Sequence, residues 1–142
     1  MGTKLILEDF TLEQVQTLHQ RYGTPLNDTN LKRFFDLTHG QPYLVRRGLN
    51  EIVAHGLQFE DFMNRAEHGD GPFGDHLRRT VMLLNKQPVL VKVVKDILNG
   101  NVCPDEDSFY RLRGLGVLQG ESKHNVRLRC ELYAHYFQKY LT

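Results

Sequence analysis

The chain has 142 residues, 40% of them apolar, enough for one packed core or two small ones rather than a disordered tail. No apolar run reaches the roughly 20 residues that span a bilayer. The opening Met1-Gly2-Thr3-Lys4-Leu5-Ile6-Leu7 is too short an apolar stretch for a signal peptide, so a cytoplasmic setting with no membrane partner is expected. The formal charge of +1 hides an asymmetry: residues 1–74 carry 7 Lys/Arg against 10 Asp/Glu, net −3, and residues 75–142 carry 11 against 7, net +4.

Thr11, followed three residues later by Gln14, predicts a capped helix start with Phe10 stapled onto Val15; Leu12, Val15, Leu18 and Tyr22 share a face, and Gly23 stops it. A second helix is predicted over residues 28–38, with Leu31, Phe34 and Phe35 inward and an end at Gly40. Pro42 suits the first turn of a third, whose apolar face runs through Leu44, Val45, Leu49, Ile52 and Val53 to His55-Gly56. Phe59, Phe62, Met63 and Ala66 predict a short fourth helix. His68-Gly69-Asp70-Gly71-Pro72-Phe73-Gly74 then breaks every periodicity, which divides the chain into a helical module over 1–67, a linker or hinge over 68–74 and a second module over 75–142.

In the second module Asp75 caps a helix with Leu77, Val81 and Leu84 inward. Pro88 opens a very apolar helix through Val89, Leu90, Val93, Val94, Ile97 and Leu98. Pro104-Asp105-Glu106-Asp107 starts a shorter one whose inner face is Phe109, Leu112 and Leu115. The period then changes from helical to alternating. Val117-Leu118-Gln119, a polar turn over 120–125 and Val126 to Cys130 predict a hairpin, with Arg127 and Arg129 on its wet side. A last helix over 131–141 packs Leu132, Tyr133, Tyr136, Phe137 and Tyr140. Three helices, a hairpin and a closing helix make a winged-helix pattern.

Catalytic motifs are missing from this pattern. There is no G-x-x-x-x-G-K-[ST] cradle for phosphates, and the serines, Ser108 and Ser122, lie in no G-x-S-x-G elbow. Cys103 and Cys130 form no C-x-x-C pair and are expected as buried free thiols. No catalytic residue is assigned and the chain alone is not expected to be an enzyme. His68, Asp70, Asp75 and His76 have ligand chemistry but match no metal-binding spacing, so capping or solvated roles are expected and no metal is assigned.

Arg111, Arg113, Lys123, Arg127 and Arg129 against the single acid Glu121 form a local basic excess that can meet phosphates or DNA. The bland alternative is a solvated basic face, or one docked on an acidic partner. A recognition helix reads bases with its N-terminal residues, and here those are Asp105, Glu106 and Asp107, which phosphates repel. Gly40-Gln41-Pro42-Tyr43, between two helices, reads by itself as helix punctuation: a C-cap, an N1 proline and a core aromatic.

Four stretches carry a family resemblance: Leu7-Glu8-Asp9-Phe10-Thr11-Leu12-Glu13-Gln14-Val15, Thr38-His39-Gly40-Gln41-Pro42-Tyr43-Leu44-Val45, Gly71-Pro72-Phe73-Gly74-Asp75-His76-Leu77-Arg78-Arg79 and Leu128-Arg129-Cys130-Glu131-Leu132-Tyr133. In that order the chain resembles the C-terminal half of the AAA-like domain of bacterial STAND-type signalling ATPases, relatives of the NACHT and NB-ARC switches. The resemblance implies a mainly α fold, a four-helix lid bundle followed by a winged-helix domain with one β-hairpin. It implies a P-loop subdomain in cis ahead of Lys4, with Met1-Gly2-Thr3 an added start, further effector or sensor domains, and ATP or ADP with Mg in the whole protein but no cofactor in this piece. Gly40 and Pro42 inherit the adenine side of the nucleotide site, with Tyr43 beside them. Where plant relatives have Met-His-Asp near the start of the last helix, this chain has Arg129-Cys130-Glu131, so no histidine senses phosphate there. Arg129 is the alternative, although strand alternation predicts that it points outward. The competing readings are a DNA-binding winged-helix regulator and a protein-interaction module.

Overall fold

The computed structural model describes residues 8–141, so the Met1 to Leu7 opening and the first residue of the Leu7–Val15 stretch lie outside the described residues. The described residues form eight helices and one two-stranded antiparallel sheet, a mainly helical fold. None of these helices is long and apolar enough to cross a membrane.

Local chemistry sets most boundaries. In α1 (Leu12–Arg21) Thr11 accepts from the Gln14 N–H while the Gln14 side chain accepts from the Thr11 N–H, a reciprocal cap that satisfies two otherwise unpaired donors. Asn27 caps α2 (Asp28–Thr38), and Gln41 caps α3 (Pro42–His55), which has its proline in the first turn. The α2 helix spans the predicted residues, but its left-handed C-cap is His39, one residue before Gly40, which is left-handed as well. The short α4 (Phe59–Ala66) buries Phe59, Phe62 and Ala66. Asp75 does not cap the next helix, because α5 (Gly74–Asn85) already begins at Gly74; Asp75 sits in the first turn and pairs with Arg78.

Pro88 opens α6 (Pro88–Leu98), which buries Leu90, Val91, Val93, Val94 and Ile97, whereas Val89 lies on the outer face. Asp105 caps α7 (Glu106–Gly114) by accepting from the Ser108 N–H. Leu115 is exposed rather than inward: the helix has ended, left-handed Gly116 turns the chain, and Val117 takes the buried place. Strands β1 (Leu118–Ser122) and β2 (Asn125–Leu128) pair Leu118 with Leu128 and Gly120 with Val126, with an irregularity between Gly120 and Ser122. The predicted six-residue turn therefore shrinks to Lys123-His124, since backbone pairing extends through polar side chains as readily as apolar ones. In α8 (Glu131–Tyr140) Leu132, Tyr133, Tyr136 and Phe137 are buried as predicted. Tyr140 is not; Leu141 is buried instead.

The buried side chains form one continuous cluster from Val15 to Leu141, and α8 packs against α2, α5 and α6. The segment over 68–74 is wrapped onto the N-terminal helices. Phe73 is buried edge-on against Phe62, the Arg47 Nε donates to the Pro72 carbonyl, and the Arg65 guanidinium donates to the Asp70 carbonyl. Both cysteines are free and buried, and burial pushes the Cys130 thiol up to about 12.

One buried polar group was not anticipated. His19 is 3% exposed and its Nε2 accepts from the Leu26 N–H at 2.9 Å, which requires an unprotonated nitrogen. Burial lowers its pKa below the ordinary imidazole value, against a smaller opposing pull from Asp28. A histidine lowered in the fold binds a proton in the unfolded chain first, so stability is unaffected above the unfolded value, falls as pH drops below about 6.5, and levels off once the folded group protonates too. Melting temperatures measured from pH 7.5 to 5 should decline in that window, and His19→Gln should flatten the decline. An unchanged slope in the variant would refute the assignment.

Candidate functional site

The Gly40–Tyr43 junction is built by backbone crossing and capping. Gly40 has φ +73°, its carbonyl accepts from the Phe10 N–H at 2.7 Å, and a Cβ placed on it would lie 2.0 Å from the Phe10 carbonyl oxygen. Only glycine fits both the conformation and the space. Gln41, 6% exposed, caps α3 by accepting from the Leu44 N–H at 2.7 Å. Pro42 and Tyr43 follow at the start of α3, Pro42 half-buried and Tyr43 49% exposed. The sequence reading of Tyr43 as a core aromatic does not hold, because the ring lies on His76 of α5, with centroids 4.8 Å apart.

The far end of Gln41 reaches the C-terminal helix. Its Nε2 donates to the Tyr133 hydroxyl at 3.4 Å, and that hydroxyl lies 2.6 Å from the His76 Nε2. Burial, followed by Arg79 and Arg129, holds His76 below the ordinary imidazole value, so the ring is neutral near pH 7. Burial also raises the Tyr133 pKa, which keeps its proton on. With Gln41 donating to the Tyr133 oxygen, the tyrosine proton points to the His76 Nε2, and the imidazole proton belongs on Nδ1.

An open cavity of about 930 Å³ borders this junction and gathers residues from the two ends of the chain. Pro42 and Tyr43 line it together with Glu8, Asp9, Tyr110, Arg113 and Arg129. Arg129 does not point outward. The alternation of β2 ends at Leu128, and the Arg129 guanidinium turns in to pair with Asp9 at 2.6 Å, its side chain only 19% exposed. Tyr110 and Arg113, three residues apart and so on one face of α7, are both exposed, and Arg113 lies 5.9 Å over the Phe109 ring. The cavity thus offers a proline edge, two exposed tyrosine rings, two guanidiniums and two carboxylates: surfaces for a planar ring, for anionic oxygens and for hydroxyl donors.

The remaining basic residues do not join it. Arg111 pairs with Asp107 and donates to the Gln87 Oε1, Arg127 donates to the Gln119 Oε1 on the hairpin, and Lys123 sits in the hairpin turn. The five basic positions therefore split between a cavity wall, a helix face, a strand and the hairpin turn, with two of them already engaged by carboxylates. Of the residues around the linker with ligand chemistry, Asp75 and His76 both lie in α5, where Asp75 pairs with Arg78 and His76 faces Tyr133. No three His, Cys, Asp or Glu side chains among the described residues gather as metal ligands would. A second depression, about 610 Å³, lies against Arg47, Glu51, His55 and Arg65, whose charged groups bond one another or nearby carbonyls.

Asp9, Gln41, His76, Tyr110 and Tyr133 were not nominated from the sequence as binding residues. Tyr110 had a readable signal, an aromatic three residues before an arginine on an amphipathic helix. Asp9 and Tyr133 had none, since their partners lie 120 and 92 positions away.

No curated protein and no solved structure matches the chain. The sequence profile of the AAA-like domain matches residues 1–139, nearly its whole length. The chain belongs to the AAA-like domain family.

Proposed function

We propose that the chain is the lid and winged-helix part of a STAND-type nucleotide switch: α1 to α4 form the lid, α5 to α8 with the hairpin form the winged helix, and Pro42 and Tyr43 face the adenine of ATP or ADP. The observation that carries this reading is the cavity that brings Pro42 and Tyr43 together with Tyr110, Arg113 and Arg129. A rigid proline edge and tyrosine faces suit a purine, and exposed Arg113 suits a phosphate oxygen. Gly40 serves this site indirectly, as the backbone crossing that aims Pro42. The P-loop, magnesium and hydrolysis belong to a preceding subdomain in cis, and the chain by itself turns nothing over, having no phosphate cradle. Two buried free thiols fit a reducing, cytoplasmic setting.

Millimolar ADP should shift the backbone NMR signals of Tyr43, Leu44, Tyr110 and Arg113 saturably, with no phosphate released from ATP. Pro42→Ala should weaken binding about tenfold, in line with the ~1–3 kcal/mol lost when a base loses one stacking surface. The absence of any shift at these four positions rejects the reading. Duplex DNA binding with a steep salt slope, lost in an Arg127→Ala, Arg129→Ala double variant, would replace it with a DNA-binding function.

A further inference from the structure

The hydrogen bonds that leave the junction run in one direction. From the Leu44 N–H they pass to Gln41, from Gln41 to the Tyr133 hydroxyl, and from that hydroxyl to His76. The last two connections cross between elements: from the α3 cap to α8, then from α8 to α5. The chain closes through rings, since His76 lies against Tyr133 with centroids 5.8 Å apart and against Tyr43 at 4.8 Å. Tyr43 is half exposed on the cavity, whereas Gln41 and Tyr133 are buried.

Simple N-capping does not require this arrangement. A serine or aspartate caps a helix without reaching another element, and a buried amide and a buried phenol each cost free energy unless both ends are paired. Here the amide oxygen is committed to the α3 N-terminus and its nitrogen to α8, so the orientation of the first turn of α3, with Pro42 in it, depends on where α8 sits. All described buried polar side-chain atoms have partners, so displacing α8 by even a small distance would leave Gln41 and Tyr133 unpaired together.

We propose that Gln41, Tyr133 and His76 are positioning residues that couple occupancy of the Pro42–Tyr43 cavity to the docking of α8, so that each strengthens the other. The proposal rests on the adenine-site reading above and adds its readout: the C-terminal helix reports whether the site is filled. Coupling between two sites is reciprocal, so the factor by which ligand tightens α8 is also the factor by which docked α8 tightens ligand.

Hydrogen exchange of the 142-residue chain, with and without millimolar ADP, tests this. In the wild type ADP shifts the Tyr43 signal and raises the protection of α8 amides by roughly fivefold or more, the lower end of typical coupling. Tyr133→Phe removes only the hydroxyl. His76→Phe removes the acceptor nitrogen but keeps a ring between Tyr43 and Tyr133, and it provides the same test if the first variant is poorly folded. In either variant the Tyr43 shift should persist with a dissociation constant raised by the same factor, and α8 protection should no longer respond to ADP. A purely structural role would lower α8 protection in both states and leave its response to ADP intact, which would overturn the coupling while sparing the adenine site. No Tyr43 shift in the wild type would overturn the adenine site and the coupling with it.

Discussion

Gly40→Ala should be among the most damaging single substitutions in the chain, costing on the order of 3 kcal/mol, against which a single exposed-surface change costs well under one. Two independent effects add there. An alanine at φ +73° enters a region that L side chains avoid, worth about 1–2 kcal/mol. Its Cβ would also sit 2.0 Å from the Phe10 carbonyl oxygen, so the Phe10 backbone must move and its 2.7 Å hydrogen bond to Gly40 is lost. At about 2–4 °C per kcal/mol for a domain of this size, the melting temperature should fall by roughly 10 °C. Gly56→Ala separates the two effects, because Gly56 is also left-handed, at φ +58°, but an added methyl there would meet nothing within 4 Å. It should cost about 1 kcal/mol. Equal losses in the two variants would show that the Phe10 crossing is not tight. Because Pro42 follows the crossing by two residues, Gly40→Ala should also weaken ADP binding, which a stability loss elsewhere would not do.

The same junction shows which information lies close in sequence and which does not. The starts of α1 and α3 were legible because each is written within four residues, Thr11 with Gln14 and Pro42 in a first turn, whereas the Asn27 and Asp105 caps, equally local, went unread. The hairpin was legible from alternation, and Val126, Arg127 and Leu128 keep it. Alternation gives no information beyond the last paired residue, which is why Arg129 was expected to face solvent and instead meets Asp9. Leu115 and Tyr140 failed for a related reason: they lie just after and at a helix end, where the chain turns off the helical spacing that defined their face. Long-range pairing obeys no local period. That Gln41 is a buried connector rather than punctuation follows only from having Tyr133 beside it, 92 positions away. The family resemblance pointed to the junction. It named Gly40, Pro42 and Tyr43, but not the residues that hold them.

Phe73→Ala carries the second large effect, and it bears on how the two halves of the chain can move. A glycine-rich segment between helical modules reads as a loose hinge, yet its one large side chain is 1% exposed and packs 5.7 Å from Phe62 in an edge-to-face pair. Gly48 makes room for it: a Cβ at that position would lie 3.1 Å from the Phe73 ring and 2.5 Å from that of Phe34. Gly71 is equally constrained, because its Cβ would meet the Arg65 carbonyl oxygen at 1.9 Å. Glycine here serves close packing, with no gain in freedom. Removing the Phe73 ring leaves a cavity among Phe34, Phe62 and Gly48, and a buried Phe→Ala change costs about 3–5 kcal/mol. Phe73→Leu, which keeps most of the volume, should cost roughly 1 kcal/mol. Thermal or urea unfolding distinguishes this from a free linker, for which both variants would be near neutral. If the halves do rotate during a nucleotide cycle, residues 70–73 travel with the N-terminal helices, since Pro72 and Asp70 are held by Arg47 and Arg65 as well. Gly74, where α5 begins, is no freer: it is buried, its N–H donates to the Gly71 carbonyl at 3.0 Å, and a Cβ there would meet the Gly69 carbonyl oxygen at 2.1 Å, so it stays packed on the same segment.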